Sequence, residues 1–355
     1  MTDVLIAGSG PTGLTLACEL ALRGLAVRIL ERRAGPHRES RGKGLNQGSL
    51  EVFARLGLAE RLSGAGTCDL ILRKYFDGAH ISDTPAGGGL LIGQWQVEEA
   101  LRERLAGLGV LIEYEAEVVG IAQDAGGVTA RLADGRSVRA GYAAGCDGGH
   151  SSVRELLAIP FEGHTEEQPS MVVGDVRAPG LSRDYWHQWF TSDGGGILLC
   201  PIPGSEVFQL QSAPEADERG EPLPPSLEGF QRLFDRYAGV PGIRLADATW
   251  LSSWRANVRK AARMREGRVF LAGDAAHVHP IAGGLGMNTG IQDAAPLART
   301  LAAAVTGPAQ GGVLDAYEAE RLPVAAEVLA DTSRRMERVM AAVREPGRGT
   351  EAGMN

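Results

Sequence analysis

The sequence predicts a mixed α/β (α+β) fold, with an open parallel sheet flanked by helices, an antiparallel β-sheet region inserted later and helices at the C-terminal end. Three observations carry this. A buried-strand pattern at Asp3 to Ala7 runs directly into Gly8-Ser9-Gly10-Pro11-Thr12-Gly13 and then into a helical pattern. A second glycine cluster, Gly283-Gly284-Leu285-Gly286, opens another helix far downstream. Between them, from about Met171 to Leu251, short alternating runs broken by glycine and proline read as antiparallel strands.

The elements follow in order. Leu14 to Arg23 is a helix ended by Gly24, and Ala26 to Leu30 is a second apolar strand that terminates at Glu31, 18 positions after Gly13. Strand, glycine loop, helix, strand and acid together make a Rossmann-like β-α-β unit. In such a unit Gly8 permits the tight turn, Gly10 lets backbone touch a pyrophosphate, and Gly13 packs helix against strand. The helix N-terminus adds free N–H groups and a positive dipole. Glu31 suits a ribose hydroxyl. Next comes the basic segment Arg32, Arg33, Arg38, Arg41 and Lys43, then a helix from Gln47 through Leu56. A charged loop over a phosphate and a solvated basic surface are both open readings for Arg33 and Arg38.

Glu98 to Leu108 reads as a helix, Ile112 to Val119 and Gly127 to Leu132 as strands, and Asp134-Gly135 as the turn into Ser137 to Ala140. The middle region offers strands at Tyr185 to Phe190, Gly196 to Cys200 and Val207 to Gln211, as in a meandering antiparallel sheet. Four of the five tryptophans lie between Trp186 and Trp254, dense enough to wall a site for a flat organic ligand. Arg268 to Ala272 is a short apolar strand that delivers Gly273-Asp274, and a helix follows from about Thr289 to Val305. Asp274 ends a strand, where ligands bind in open α/β sheets; capping the next turn is its bland alternative.

At 355 residues the chain exceeds the usual single domain. Its 44% hydrophobic and 23% charged residues are those of a globular protein, and a net charge of -8 makes nucleic acid an unexpected partner. No apolar run reaches the ~18 residues of a membrane span, and the N-terminus lacks a signal-peptide pattern, so a cytoplasmic location without a membrane partner is expected. Cys18, Cys68, Cys146 and Cys200 form no C-x-x-C pair, so neither metal nor disulfide is expected.

Three motifs stand in order: Gly8 to Gly13 with Glu31; Cys146-Asp147-Gly148-Gly149-His150-Ser151-Ser152-Val153-Arg154; and Gly273-Asp274-Ala275-Ala276-His277 through Asn288. With them the chain resembles, from residue 3 to about 330, the class A FAD-dependent aromatic hydroxylases, flavoprotein monooxygenases of the para-hydroxybenzoate hydroxylase fold. Within that family it is most similar to the bacterial polyketide hydroxylases. The resemblance implies a discontinuous FAD-binding domain at 1–70, 98–170 and 262–305, a substrate-binding β-sheet domain at 71–97 and 171–261, and a helical C-terminal segment with a loose tail at 306–355. Relatives usually continue into a thioredoxin-like C-terminal domain, whereas this sequence stops after the helical segment Leu314 to Arg344; no such domain is expected.

Carried over, the resemblance implies FAD contacts at Gly8, Gly10, Thr12, Gly13, Glu31, Arg32, Arg41, Gln94, Val118, Asp147 and Asp274. Pro280 falls beside the reactive edge of the flavin, and the backbone N–H groups of Leu285, Gly286, Met287 and Asn288 face its pyrimidine part. The last inference has a physical basis, because a glycine-rich turn opening a helix stabilises the anion of reduced flavin. One β-α-β fingerprint makes a separate nicotinamide domain unexpected.

The implied reaction is hydroxylation of an aromatic or polycyclic, polyketide-like small molecule by FAD, with NADPH (or NADH) as transient reductant and O2 as co-substrate, through a flavin C4a-hydroperoxide. Such roles fit antibiotic biosynthesis. Alternatives are a Baeyer–Villiger or epoxidising oxygenase and a non-catalytic flavin-binding accessory protein. No motif names a base for the substrate phenol. His187, between Trp186 and Trp189, is the candidate, with a hydrogen-bonded strand histidine as the bland alternative; His277 and His279 read as structural. Oligomeric state is not legible.

Overall fold

The computed structural model describes residues 2–167, 171–279, 284–307 and 312–344, with side chains as far as residue 335. Strand Thr2–Ala7 lies at the centre of an eight-stranded sheet, paired in parallel with Val27–Leu30 on one side and Ser137–Gly145 on the other. Val269–Leu271 extends the sheet beyond Ser137–Gly145, and Ile112–Glu113 extends it beyond Val27–Leu30. The chain therefore leaves its first strand in one direction and later returns on the opposite side. That reversal opens a crevice at the carboxyl ends of the strands, where Gly8, Cys146 and Gly273 follow one another across the sheet.

Several boundaries differ from expectation for local reasons. The strand expected at Ile112 to Val119 is interrupted between Ile112–Glu113 and Val118–Asp124, where Glu115 takes φ 55° and the Ala116 N–H donates to the Glu31 carbonyl at 2.9 Å. The helix expected from Glu98 begins at Gln94, because Gly93 is extended and its N–H is satisfied by Gln96 Oε1 at 2.9 Å. The helix expected from Thr289 begins at Leu285 and continues through Pro296 to Thr306.

The second sheet has seven strands in the order Ala246–Trp254, Met171–Arg177, Val207–Ser212, Gly196–Pro201, Tyr185–Phe190, Ile71–Phe76 and Ala79–Pro85. It is not wholly antiparallel. Tyr185–Phe190 pairs in parallel with Ile71–Phe76, a strand from far upstream that local patterning does not reveal. Period-2 alternation divides its residues between two faces. Val172, Val176, Trp189, Ile197, Leu199, Phe208 and Leu210 pack under helix Leu227–Tyr237 through Phe230, Leu233 and Phe234. Trp186, Gln188, Cys200, Gln209, Asp175 and Trp250 belong to the opposite face.

That opposite face meets the first body of the molecule. Ser40 donates its backbone N–H to Asp175 Oδ2 at 2.8 Å and its hydroxyl to Asp175 Oδ1, while Gln209 donates to the Ser40 carbonyl. All three side chains are buried, so these bonds fasten the basic segment after the second strand onto the second sheet. Among the described residues no helix is long and apolar enough to cross a membrane.

Candidate functional site

The first loop is built as its glycines require. Gly8 has φ 102°, and a Cβ there would overlap the Cys146 carbonyl; a Cβ on Gly13 would overlap the Gly8 carbonyl oxygen. Gly10 differs, for a Cβ built on it meets nothing within 4 Å. Its φ of −77° suits any residue, so only something approaching from outside needs the space. Helix Pro11–Ala21 starts there with proline first, no side-chain cap and no acid in its first turn. Its terminal N–H groups and positive end are left for an anion.

These differences separate two variants. Gly13→Ala is expected to lose about 1–3 kcal/mol of stability through the forced overlap. Gly10→Ala is expected to melt within about 0.5 kcal/mol of the parent as apoprotein while binding FAD at least tenfold more weakly. Thermal melts and flavin titrations separate them; equal flavin affinity for Gly10→Ala and the parent would remove Gly10 from the site.

Glu31 is 8% exposed and accepts from the Ser9 N–H at 2.9 Å, the Ser9 hydroxyl at 2.7 Å and the Arg33 N–H at 3.0 Å. Burial raises its pKa, but these three bonds outweigh burial and hold the carboxyl below its usual range. It is an ionised acceptor locked against the loop.

The second motif arrives on the neighbouring strand. Gly273 has φ 60° and a Cβ on it would overlap Thr12 Oγ1; a Cβ on Gly290 would overlap the same hydroxyl. Thr12 is thus the knob that seats the first glycine loop between the second motif and helix Leu285–Thr306. Asp274 belongs to the turn Gly273–Ala275, flanked by the buried Gly273 and Ala275, yet is itself exposed. The turn's N-cap is Ala272 with no side-chain cap, so Asp274 is not the capping residue of the bland alternative. It makes no hydrogen bond to another described residue. The surrounding protein wall pushes its carboxyl above the usual range, against the pull of His277 and His279.

Helix Leu285–Thr306 also begins uncapped, with Gly284 at φ 62° and no acid in its first turn. The Asn288 side chain is used elsewhere. Its Oδ1 accepts from Asn46 N–H at 2.9 Å and its Nδ2 donates to Gly44 O at 3.2 Å and Gly284 O at 3.0 Å. Asn288 therefore clips the turn to strand Lys43–Leu45. Gln94 donates its backbone N–H to Gly42 O at 2.9 Å, and a Cβ on Gly42 would lie 3.0 Å from Gln94 Oε1 and 3.6 Å from Met287 Sδ. The structure thus brings Gln94, Gly42 and Met287 together. Arg32 and Arg41 are exposed, Arg41 paired with Glu39 at 2.6 Å. Val118 is core, 7% exposed. Pro280 lies outside the described residues.

The Asp147 motif turns inward. Asp147 accepts from Ser151 Oγ at 2.5 Å and from Val153 N–H at 3.1 Å, so its carboxylate orders the start of helix Ser152–Leu156. Burial raises its pKa above the usual range. Arg154 carries the motif to the second one, donating to Ala275 O at 3.0 Å and Gly149 O at 2.9 Å with its guanidinium 3.8 Å over Phe161. No sequence signal beyond its place in the motif pointed to that link.

His187 lies on the helix-covered face of the second sheet. It shares the helix-covered face with Trp189, stacked at 5.0 Å, and its Nε2 donates to Ser182 O at 2.8 Å. Burial holds its pKa below the usual range. With 3% exposure and that bond, His187 fits the hydrogen-bonded strand histidine, the alternative to a substrate base. Cys146 and Cys200 are also buried, and burial pushes the Cys200 thiol up to about 11, which argues against a nucleophile. His277 is structural, bonded through Nε2 to Asp293 Oδ2 at 2.7 Å. Among the described residues there is no group of acids, histidines and cysteines that could hold a metal.

Thr12 thus joins the first loop, with its uncapped helix start and open Gly10, to the turn that carries Asp274 and to helix Leu285–Thr306, itself uncapped and without acid in its first turn. These features fit a dinucleotide whose diphosphate takes the N–H groups and whose hydroxyls find Glu31 and Asp274. Residues 1–332 match the model of the FAD binding domain family. A flavin-dependent monooxygenase of Mycobacteroides abscessus is 41% identical over 349 residues, 92% of this chain and 72% of that one. A dialkyldecalin synthase of Streptomyces rugosporus is 36% identical over 94% of this chain and 72% of its own. Among solved structures, aklavinone-11 hydroxylase in a ternary complex with FAD and aklavinone superposes with a TM-score of 0.82 at 28% identity, over 99% of this chain and 71% of that one.

Proposed function

This chain belongs to the FAD binding domain family, and from that premise we propose that it is an FAD-dependent monooxygenase. In this reading it uses NAD(P)H and O2 to hydroxylate an aromatic or polycyclic, polyketide-like substrate. The observation that carries the reading is the packing of the first glycine loop, through Thr12, against Gly273 of the second motif and Gly290 of helix Leu285–Thr306, with both helices uncapped at their starts and Asp274 exposed beside Gly273. When bound, FAD supplies the electron transfer from nicotinamide and the activation of O2.

The protein's own residues then have separate tasks. The first loop through Gly10 and Pro11 takes the diphosphate, Glu31 a ribose hydroxyl, and Asp274 a hydroxyl or phosphate-proximal group of the linker. The first turn after Gly284 offers N–H groups to the electron-rich edge of the reduced ring, a preorganised charge stabilisation. The seven-stranded sheet supplies the substrate wall, and its unhelixed face excludes water from the reacting atoms. The strand pairing supports a division into a cofactor-binding and a substrate-binding part, since the strands of 71–85 and 171–254 pair only among themselves among the described residues.

The test is NAD(P)H oxidation under air by FAD-loaded protein, with a panel of phenols and polycyclic aromatics. At least one compound is expected to stimulate oxidation tenfold or more and to gain one oxygen by mass spectrometry. Binding of a polycycle without stimulated oxidation would instead favour a non-oxidative role such as that named for the synthase relative.

A further inference from the structure

Lys43 occupies an unusual position for a lysine. Its backbone belongs to strand Lys43–Leu45, and its carbonyl oxygen lies 3.8 Å from a Cβ built on Gly284, the residue that opens the second uncapped helix. Its side chain reaches the other way, onto the unhelixed face of the seven-stranded sheet. There Nζ sits 4.8 Å from the centre of the Trp186 ring and donates to Gln209 Oε1. One residue thus spans the gap between the turn assigned to the flavin ring and the sheet assigned to the substrate.

Its surroundings hold spare donors. Trp186 Nε1 and Gln188 Nε2 are buried without partners, and both residues are on the same face of strand Tyr185–Phe190 as the Lys43 contact. Two of the acceptors nearby are already engaged. Gln209 Oε1 receives Gln211 Nε2 at 2.9 Å in addition to Lys43, and the Asp175 carboxylate is taken by Ser40. An ammonium and two buried N–H donors without partners favour a ligand that brings acceptor oxygens, ionised in the best case.

We propose that Lys43 is a specificity-determining residue that selects substrates with an ionisable phenol or enol, holding the oxyanion beside Trp186 and orienting the ring toward the Gly284 turn. This deepens the monooxygenase reading and rests on it for the meaning of that orientation. The phenolic proton leaves to solvent on binding, and the phenolate's pairing with the Lys43 ammonium offsets the cost of burying that cation. Ionisation also raises electron density on the ring carbons that accept oxygen, so one contact serves recognition and reactivity. The charged and titratable groups facing Nζ are the Asp175 carboxylate and the Cys200 thiol. Burial pulls the Lys43 pKa below its usual value while these two pull it up.

The experiment uses oxidised, FAD-loaded protein without reductant and alizarin, whose phenolate absorbs to the red of flavin. A cation within ~4–6 Å lowers a phenol's pKa by about 1–3 units, so wild type and Lys43→Arg are expected to titrate bound alizarin at least one pH unit below the free dye. Lys43→Met, with its flavin content intact, is expected to return the value to that of the free dye and to bind the dye at least tenfold more weakly at neutral pH. An unchanged titration in flavin-replete Lys43→Met, or the absence of any downward shift in wild type, would overturn the proposal. Because no turnover is involved, a Lys43-dependent shift in a protein that never oxidises NAD(P)H would leave this site standing while the monooxygenase reading fell.

Discussion

Asp274→Ala purifies as a folded, colourless protein, losing at least nine-tenths of the flavin that the parent retains. The expectation comes from what the side chain lacks. Most carboxylates near this crevice are already hydrogen-bonded within the protein, Glu31 to Ser9 and Arg33, Asp147 to Ser151 and Val153, Asp293 to His277 and Arg321. Asp274 alone among them is exposed and without a hydrogen bond to another described residue, although Gly273 and Ala275 beside it are buried. Removing it strands no donor inside the protein, so the apoprotein should melt within about 0.5 kcal/mol of wild type. A charge-assisted hydrogen bond to a ligand contributes about 1.5–3 kcal/mol, roughly ten- to 150-fold in Kd. The two readouts together decide the matter. Stoichiometric flavin in the variant would remove Asp274 from the site, whereas an apoprotein melting several degrees lower would make its role structural.

Asp274 was visible in the sequence because its signal is local: a strand, a glycine and an acid at the carboxyl edge of a parallel sheet. The first glycine loop was visible for the same reason, since Gly8 at φ 102° and the packing of Gly13 are demands of the backbone that no other residue meets. Which of its two readings His187 takes was not legible, because period-2 alternation shows that a strand has two faces but not which one a helix will cover. That choice is made by Phe230, Leu233 and Phe234, more than forty residues on. The parallel pairing of Tyr185–Phe190 with Ile71–Phe76 was hidden likewise, as was the role of Asn288, whose side chain joins a distant strand instead of facing the crevice. Contacts set by the folding of remote segments leave no mark on local spacing. The polar ties that fix the crevice, Arg154 to Ala275 and Ser40 to Asp175, are of this kind.

The largest effect on stability is expected from Asp293, a residue that spacing alone gave no reason to single out. It sits on helix Leu285–Thr306 with 1% exposure and holds three partners at once. Oδ2 accepts from His277 Nε2 at 2.7 Å and from the Gly273 N–H at 3.0 Å, while Oδ1 accepts from Arg321 Nε at 2.7 Å. The carboxylate therefore ties the second motif to helix Asp315–Arg344. Asp293→Ala leaves Arg321 and His277 buried without their counter-charge, and breaking a buried pair in this way costs about 3–5 kcal/mol. Asp293→Asn keeps the shape and two of the bonds and is expected to cost less. The ionisation equilibria give the network a pH signature. Burial disfavours charge on His277, but Asp293 outweighs it and raises the pKa. Its contribution is full below the unfolded imidazole value of about 6.5 and fades as pH climbs through the higher folded value. Burial likewise raises the Asp293 pKa, but His277 and Arg321 lower it further. That contribution is full above about 3.8 and fades as pH falls through the depressed value. The network should stabilise most in the acid-to-neutral range, and His277→Gln should flatten the alkaline limb of Tm against pH and, by leaving Arg321 as the cation beside Asp293, move the acid limb to higher pH. A variant curve parallel to wild type above neutrality would mean that His277 is not charged in the folded protein. Urea melts of Asp293→Ala within 1 kcal/mol of wild type would show that solvent reaches the charges left behind and that the tie between the second motif and the C-terminal helix lies elsewhere.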